Sequence, residues 1–169
     1  MTIEQVPHWK QPSHPNFITV KTYKEGGFSQ YAVSSNPIPN KTVIGDFSAA
    51  TPTTEKAYSS VQVSETEHIE LNSDLLYCNH SCDPNVAFDT DEGVVRAIRD
   101  IKEGEPITFN YLSTEWDMAQ SFKCECGSGK CLGDIQGAKY TSSKALEGTF
   151  VNSHIRNLLA RRDMGFKGL

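Results

Sequence analysis

Short runs of apolar, β-branched and aromatic residues recur through the first third of the chain. They occupy residues 17–20 (Phe-Ile-Thr-Val), 31–33 (Tyr-Ala-Val) and 42–47 (Thr-Val-Ile-Gly-Asp-Phe), and loops rich in Gly, Pro and Asn separate them. Runs of this length and composition, bounded by turn-forming residues, are typical of β-strands. Val61 and Val63 then alternate with polar neighbours, which predicts a half-buried strand. The pattern favours a mainly β fold.

A hairpin and a further strand are predicted downstream. Residues 85–90 and 93–101 flank the sequence Asp-Glu-Gly at 91–93, which is suited to a turn between two antiparallel strands. Residues 106–111 follow as another short strand that ends at Tyr111. Residues 48–56 have the composition of a loop. We therefore expect many short strands with little helix in this part of the chain.

The two ends of the chain differ from this strand-rich middle. Near the C-terminus, apolar residues recur at helical spacing, and Arg156, Arg161 and Arg162 lie toward the helix end that favours cations. Residues 1–15 are polar and contain three prolines, which predicts an extended N-terminal arm. The apolar positions of the predicted helix are Leu146, Phe150, Val151, Ile155, Leu158 and Leu159.

Composition and charge restrict the class of protein. A length of 169 residues suits one domain with its own hydrophobic core. No apolar run is long enough to cross a membrane, and the first residues do not follow a signal-peptide pattern, so we expect an intracellular protein, cytoplasmic or nuclear. The net charge of -5 argues against direct binding to nucleic acid, and it is compatible with a cationic partner such as a lysine-rich protein tail.

The spacing of the cysteines predicts a metal site. Cys124, Cys126 and Cys131 form the pattern C-x-C-x4-C, and Cys78 and Cys82 complete the five cysteines of the chain. Zn²⁺ prefers four tetrahedral ligands and accepts thiolates readily, and an intracellular location favours a metal over a disulfide. We therefore expect Cys82 to be the fourth ligand and Cys78 to be a spare thiol. The metal then holds the C-terminal segment against the loop around Cys82.

Three motifs occur in the order that one known family uses. They are Asn-His-Ser-Cys-Asp-Pro-Asn at 79–85, Gly-Glu-Pro-Ile-Thr-Phe-Asn-Tyr at 104–111, and the C-x-C-x4-C pattern. Over roughly residues 16–132 the chain resembles the SET-domain protein lysine methyltransferases that carry a post-SET zinc segment. The resemblance implies several small sheets and a pseudoknot through which residues 79–82 pass. It divides the chain into the N-terminal arm, a SET domain at 16–119, a post-SET zinc segment at 120–135 and a C-terminal extension with a helix at 136–169.

The resemblance also implies the cofactor and the residues that hold it. The cofactor of this family is S-adenosylmethionine (AdoMet). This chain departs from the family in two places: the glycine motif has an altered spacing, and Leu76-Tyr77 stands where the family often has Arg-Phe. The expected cofactor-binding residues are Gly26, Gly27, Phe28, Tyr77, Asn79 and His80.

Two aromatic residues are expected to meet the substrate. By resemblance, Tyr111 is the catalytic tyrosine, whose phenol oxygen orients the lone pair of a lysine amine toward the methyl group. Phe109 occupies the position that, by resemblance, limits the number of methyl groups transferred, and a Phe there leaves room for higher methylation. Both residues are therefore expected to contact the substrate lysine.

The resemblance predicts an AdoMet-dependent lysine N-methyltransferase that acts on a protein. Only about thirty residues separate Phe47 from Asn79, where many histone methyltransferases carry a longer insert that binds the peptide. This short insert and the altered glycine motif keep an alternative open, a non-methylating SET-fold protein whose pocket serves a small molecule, as a biosynthetic accessory or a cyclase. A third interpretation is a zinc-stabilised binding module without chemistry, against which the presence of Tyr111 argues.

Overall fold

The protein is built from short strands and a single α-helix in the part of the chain that the structure describes. This computed structural model describes residues 7–23 and 30–166. Four 3₁₀ turns occur in the same residues, at Asp74–Tyr77, Tyr111–Ser113, Ala138–Tyr140 and Ser143–Leu146. The strands and the helix are β1 (Ile18–Thr22), β2 (Gln30–Ser34), β3 (Val43–Asp46), β4 (Thr51–Thr53), β5 (Ser60–Gln62), β6 (His68–Glu70), β7 (Asn79–His80), β8 (Val86–Asp89), β9 (Val94–Ala97), β10 (Thr108–Phe109), β11 (Phe122–Lys123), β12 (Asp134–Ile135) and α1 (Ser153–Asp163).

The strands form several small sheets, which confirms the predicted fold class. β1 pairs with β2, β11 pairs with β12, and two three-stranded sheets have the orders β3-β9-β8 and β4-β6-β5. The predicted hairpin is β8 and β9, with Phe88 opposite Val95 and Asp89 opposite Val94. Gly93 has a φ of 70°, a left-handed conformation that glycine adopts at little cost in the connecting turn. Among the described residues, no helix has the length and apolar character that a membrane crossing requires.

The sheet β4-β6-β5 differs from the sequence prediction. β4 lies within residues 48–56, which we predicted to be loop, and all three residues of β5 are buried although a half-buried strand was predicted. Polar side chains are buried here because backbone groups satisfy them. The side chain of Gln62 accepts a hydrogen bond from the Trp116 N–H (2.9 Å) and donates one to the Ser64 carbonyl (2.8 Å). Because the partner Trp116 is far from Gln62 in the sequence, an alternation of apolar and polar residues does not reveal that β5 is buried on both faces.

The strand predicted at residues 106–111 is shorter than expected. β10 ends at Phe109, and the Asn110 side chain accepts a hydrogen bond from the Leu112 N–H (3.0 Å), which caps the following 3₁₀ turn. Tyr111 therefore begins a turn and does not end a strand. The turn directs the chain away from the sheet at the residue predicted to be catalytic.

The predicted C-terminal helix is also shorter. Leu146 lies in a separate 3₁₀ turn, and α1 begins only at Ser153. Asn152, which is fully buried, interrupts the pattern because its side chain serves other segments. It donates to the Phe88 and Ser113 carbonyls (2.8 and 2.9 Å) and accepts from the Thr90 N–H (2.9 Å).

Two apolar clusters make up the core. The first gathers residues of β1, β2, β3, β8 and β9 with Ile107 and Phe109. The second joins α1 to Leu112, Trp116 and Ile135, and it includes Cys82 and Cys124. The segment predicted to bind zinc is therefore part of the second cluster, and Tyr111 packs against the first. The two clusters meet where the chain passes from Phe109 to Leu112.

The described part of the N-terminal arm is held by one buried carboxylate. Asp74 is 1% exposed. It accepts hydrogen bonds from the Trp9 indole N–H (2.9 Å), the Gln11 amide (2.6 Å) and the Ser13 backbone N–H (2.8 Å). In return, the Ser13 hydroxyl oxygen accepts from the Asp74 N–H (2.8 Å). The arm is thus fixed to the turn that precedes β7.

We predict that Asp74→Ala destabilises the protein by about 3 kcal/mol, because the substitution removes a buried acceptor from three hydrogen bonds. Glu147→Ala, which removes an exposed carboxylate, is the matched control. The free energy of unfolding measured with urea checks both variants. A loss no larger in Asp74→Ala than in the control would contradict this role of Asp74.

Candidate active site

The two motifs expected to form the site are adjacent strands. β7 pairs in parallel with β10, with Asn79 opposite Thr108 and His80 opposite Phe109. The pairing continues beyond β7, since the Ser81 N–H donates to the Phe109 carbonyl (3.0 Å). The structure therefore brings the Asn-His pair and the aromatic residues of the second motif together.

The His80 side chain connects the cysteines to the predicted catalytic residue. Its Nδ1 accepts a hydrogen bond from the Tyr111 backbone N–H (3.1 Å), and its Nε2 lies 3.3 Å from Cys82 Sγ. Burial lowers the pKa of His80 to about 4, so the ring is neutral near pH 7. A neutral ring that accepts at Nδ1 carries its proton on Nε2 and donates it to the sulfur. His80 therefore fixes the start of the Tyr111 turn relative to Cys82.

Four cysteines are placed to hold a metal ion. The sulfur atoms of Cys82, Cys124, Cys126 and Cys131 all lie within 4.8 Å of one another, and the Sγ atoms of Cys82 and Cys124 are 3.9 Å apart. Tetrahedral Zn²⁺ with sulfur at about 2.3 Å requires sulfur–sulfur distances of about 3.8 Å. The Leu132 N–H also donates to Cys82 Sγ (3.4 Å), which stabilises a thiolate. The set fits the metal expected from the sequence.

The fifth cysteine is separate from this cluster. Cys78 is 1% exposed and lies in the first apolar core, where burial raises the pKa of its thiol above the ordinary range. A buried thiol of this kind remains protonated and does not offer the thiolate that a metal prefers.

A cavity of about 340 Å³ lies beside Tyr111. Its walls include Val61 and Leu75 from one side and Phe122 from the segment that carries the cysteines, while Phe109 and Tyr111 lie between them. Both apolar clusters thus contribute to one cavity. Its size falls within the range of about 300–1,000 Å³ that is typical of small-molecule and cofactor sites.

Tyr111 packs among aromatic rings, and its hydroxyl is unsuited to act as a base. Its ring packs against His80, Phe109 and Phe122, with centroid distances of 5.2, 4.8 and 5.9 Å. Burial raises the pKa of Tyr111 above its ordinary range, so the hydroxyl stays protonated. The phenol can donate or accept a hydrogen bond but does not ionise near neutral pH.

Phe109 forms the boundary between the cavity and the first core. Its ring stacks on Phe88 with a centroid distance of 3.8 Å and an interplanar angle of 9°, and the residue is 5% exposed. This stacking fixes the ring plane, so the size of the side chain at position 109 determines how much room the cavity has next to Tyr111.

Glu115, which sequence reasoning did not single out, also lines the cavity. The residue is 8% exposed, and its Oε1 accepts hydrogen bonds from the Gln62 N–H (2.8 Å) and the Thr114 hydroxyl (3.1 Å). Burial raises the pKa of Glu115 to about 7. A carboxyl group with such a pKa in a cleft is often functional. The only sequence signal was its place in the segment that links Tyr111 to the cysteines.

The other predicted cofactor residues lie on different sides of the region where the two apolar clusters meet. Asn79 donates from its side-chain amide to the Gln30 carbonyl (3.2 Å), at the start of β2. Tyr77 lies near the N-terminal arm, with its ring centroid 6.1 Å from that of Trp9. Gly26, Gly27 and Phe28 lie outside the described residues, so their part in the site remains a prediction.

We predict one zinc ion per chain in purified protein. Cys82→Ser should lose most of the metal, because tetrahedral zinc needs its fourth thiolate. Cys78→Ala is the control and should retain the metal. Elemental analysis together with a thiol-competition titration measures both. Metal retained by Cys82→Ser but lost by Cys78→Ala would show that the ligand set is wrong.

The raised pKa of Glu115 predicts a pH-dependent stability. The carboxyl binds its proton more tightly in the folded protein (pKa about 7) than at its ordinary value of 4.5. Stability is therefore lost as the pH rises through about 7. At about 1.4 kcal/mol per pKa unit, the loss approaches about 3 kcal/mol above that pH. Glu115→Gln keeps the shape without the ionisation, so the excess of its free energy of unfolding over that of the wild type should grow between about pH 5 and pH 7 and level off above that.

Urea denaturation across this pH range measures the free energy of unfolding of both proteins. The contributions of other titrating groups cancel in the difference between the two values. Asp117→Asn, which changes a more exposed carboxylate two residues away, should follow the wild type at every pH. Parallel curves for the wild type and Glu115→Gln would contradict the raised pKa.

Comparison with known proteins agrees with this geometry. The SET-domain family profile matches residues 21–112. The chain is 42% identical over 166 residues to the methyltransferase flvH of Aspergillus flavus, an alignment that covers 95% of this chain and 91% of that protein. It is 39% identical over 80 residues to the histone-lysine N-methyltransferase mes-4 of Caenorhabditis elegans, but this match covers 37% of the chain and only 8% of mes-4.

A solved structure shares the fold. The crystal structure of KRYPTONITE in complex with mCHH DNA, an H3(1-15) peptide and SAH aligns with a TM-score of 0.52 and 18% identity, and the alignment covers 70% of this chain and 29% of that one. The family match spans more than half of the chain, and the alignment with flvH extends over nearly all of it. The chain belongs to the SET-domain family of methyltransferases.

Proposed function

We propose that this protein transfers a methyl group from AdoMet to the amino group of a lysine side chain in a protein substrate. The observation that carries the proposal is the cavity in which Tyr111 and Phe109 lie together, next to the Asn79–His80 strand. Family membership supports AdoMet as the methyl donor, and the lysine substrate follows the names of relatives such as mes-4.

Among the residues proposed to bind AdoMet, Asn79 and His80 form the strand β7, and the Asn79 amide donates to the Gln30 carbonyl at the start of β2. The Asn79 amide can both donate and accept, which suits the amino and carboxylate groups of the donor. His80, Tyr77 and the glycine segment (Gly26, Gly27 and Phe28) complete the proposed set. When bound, AdoMet supplies a methyl group on a positively charged sulfur.

Tyr111 orients the amine and does not remove its proton. Its hydroxyl remains protonated, as the raised pKa indicates, and it can hold an amine by a hydrogen bond. Holding the nitrogen in line with the methyl group is a proximity effect, and such effects account for a large part of many rate enhancements. Phe109 leaves space beside the nitrogen for added methyl groups.

The proposed zinc ion stabilises the site and takes no part in the chemistry. Four thiolates fill its coordination sphere, so no position is open to a substrate. Its role is to hold the segment that carries Phe122 against the strand that carries His80. Both residues contact the Tyr111 ring.

A second candidate substrate is a small free amine. The insert between β3 and β7 consists of the small sheet β4-β6-β5 and the turn that follows it, and the cavity has the volume of a small-molecule site. These observations favour a compact ligand as much as an extended peptide. The substrates to test therefore include free primary amines as well as lysine-rich proteins, and a non-methylating protein would convert none of them with AdoMet.

We predict that Tyr111→Phe lowers turnover by about 10²-fold, which is the scale for losing a positioned catalytic group, while AdoMet affinity is unchanged. Transfer of a labelled methyl group from AdoMet to protein extracts and to free amines measures turnover, and calorimetry measures the affinity. Tyr140→Phe, which removes an exposed phenol, is the matched control.

The companion variant Phe109→Tyr should change the product, because an added hydroxyl fills the space beside the amine. Mass spectrometry should show fewer methyl groups per nitrogen. Full turnover by Tyr111→Phe would contradict the role of the phenol. Absence of any AdoMet-dependent product from the wild type would favour the non-methylating alternative.

A further inference from the structure

We propose that the Glu115 carboxylate binds the substrate's ammonium group and accepts the proton that must leave before methyl transfer. The inference rests on the proposed N-methyltransferase function. It names the chemical class of the substrate, a primary aliphatic amine that arrives as a cation.

One carboxylate oxygen is anchored and the other is available. Oε1 accepts from the Gln62 N–H and the Thr114 hydroxyl, which fixes the side chain against β5. Within residues 7–23 and 30–166, no hydrogen bond to Oε2 and no ion pair of Glu115 occurs. An anchored carboxylate with one unoccupied oxygen, nearly buried in the wall of a cavity, is suited to receive a donor from a ligand.

The remaining cavity lining selects a cation with an apolar stem. Among the described residues that line the cavity, Glu115 is the sole carboxylate and there is no lysine or arginine. Val61, Leu75 and Phe122 offer apolar surface to methylene groups. An aliphatic ammonium matches both features, whereas a phosphate or carboxylate would meet only repulsion from Glu115.

The charges that act on Glu115 come from few neighbours. Lys56, on the loop before β5, is exposed and donates from Nζ to the Asp117 carbonyl, and its positive charge favours the carboxylate. Tyr111 and Cys78, which also line the cavity, are neutral near pH 7 because burial raises the pKa of each. An incoming ammonium is therefore the strongest partner that the carboxylate can gain.

The proton balance explains why a carboxylate is useful here. A lysine-type amine has a pKa of about 10.4, so it enters as R–NH₃⁺ and has no lone pair. The proton moves to Glu115 Oε2, which leaves R–NH₂ and a neutral carboxyl group. The nitrogen lone pair then forms the N–CH₃ bond while the C–S bond of the sulfonium breaks. The products are R–NH₂CH₃⁺ and S-adenosylhomocysteine, and Glu115 releases its proton to water.

The raised pKa of Glu115 suits this exchange. A carboxyl group with a pKa of about 7 is a stronger base than an ordinary glutamate, so it accepts the ammonium proton at a smaller cost. Below that pH the group is neutral and binds the cation weakly. The wild type therefore reacts through the Glu115 carboxylate and the substrate ammonium. Both ionised forms are abundant at pH values between the pKa of Glu115 and that of the amine.

The pH dependence of kcat/KM tests the proposal. In the wild type, kcat/KM for a primary amine should be nearly flat between about pH 7.5 and pH 9.5, because the reacting pair is already present. In Glu115→Gln only the free amine can react, so kcat/KM should be lower and should rise about tenfold per pH unit. Asp117→Asn is the control and should keep the flat profile. A flat profile in Glu115→Gln would overturn the proposal, even with lower activity.

A binding measurement separates this inference from the proposed function. Calorimetry with n-butylamine, and with n-pentanol as a neutral ligand of similar length, needs no methyl transfer. Glu115→Gln should weaken amine binding at least about tenfold, as expected for losing a charge-assisted hydrogen bond, and leave the alcohol unaffected. Equal amine affinity in both proteins would overturn the proposal. Amine binding that depends on Glu115 in a protein without transferase activity would instead overturn the proposed function and the proton transfer, and leave Glu115 as the binding site of the ammonium group.

Discussion

The site depends on one set of contacts, the close approach of the sulfur atoms of Cys82, Cys124, Cys126 and Cys131. The segment after Tyr111 has little regular structure to hold it, since β11 and β12 contain only two residues each. A domain segment of this kind gains stability from a metal that binds the folded arrangement and not the unfolded chain. Without such an ion, the raised pKa of the buried Cys124 thiol favours its protonated form, which offers no thiolate charge.

The same contacts reach the reacting residues through His80. One ring nitrogen faces Cys82 and the other accepts from the Tyr111 N–H, so the position of the turn depends on the sulfur. Phe122, in the cysteine-bearing segment, completes the aromatic surroundings of Tyr111. Both apolar clusters therefore contribute walls to the cavity, since Val61 belongs to the first cluster and Phe122 packs against the second.

The sequence was sufficient where structure follows from local pattern. The hairpin β8–β9, the strands β1 to β3 and the clustering of the cysteines all have signals within a few residues. It was insufficient where distant hydrogen bonds decide the outcome. β4 and β6 are too short to show periodicity. Asn152 bonds to other segments, so the helix begins only after it, and Asp74 holds the arm through contacts about sixty residues apart. Glu115 was not predicted because its buried carboxylate is held by the N–H of Gln62, a residue distant in the sequence.

The most direct test of this account measures labelled-methyl transfer in protein stripped of metal and then reloaded. If the cysteine cluster positions Tyr111 and the cavity, the stripped protein should lose transfer to its amine substrate, and one equivalent of Zn²⁺ per chain should restore it. Circular dichroism on the same samples should show that the strand-rich first core persists. Full methyl transfer by the metal-free protein would contradict the account.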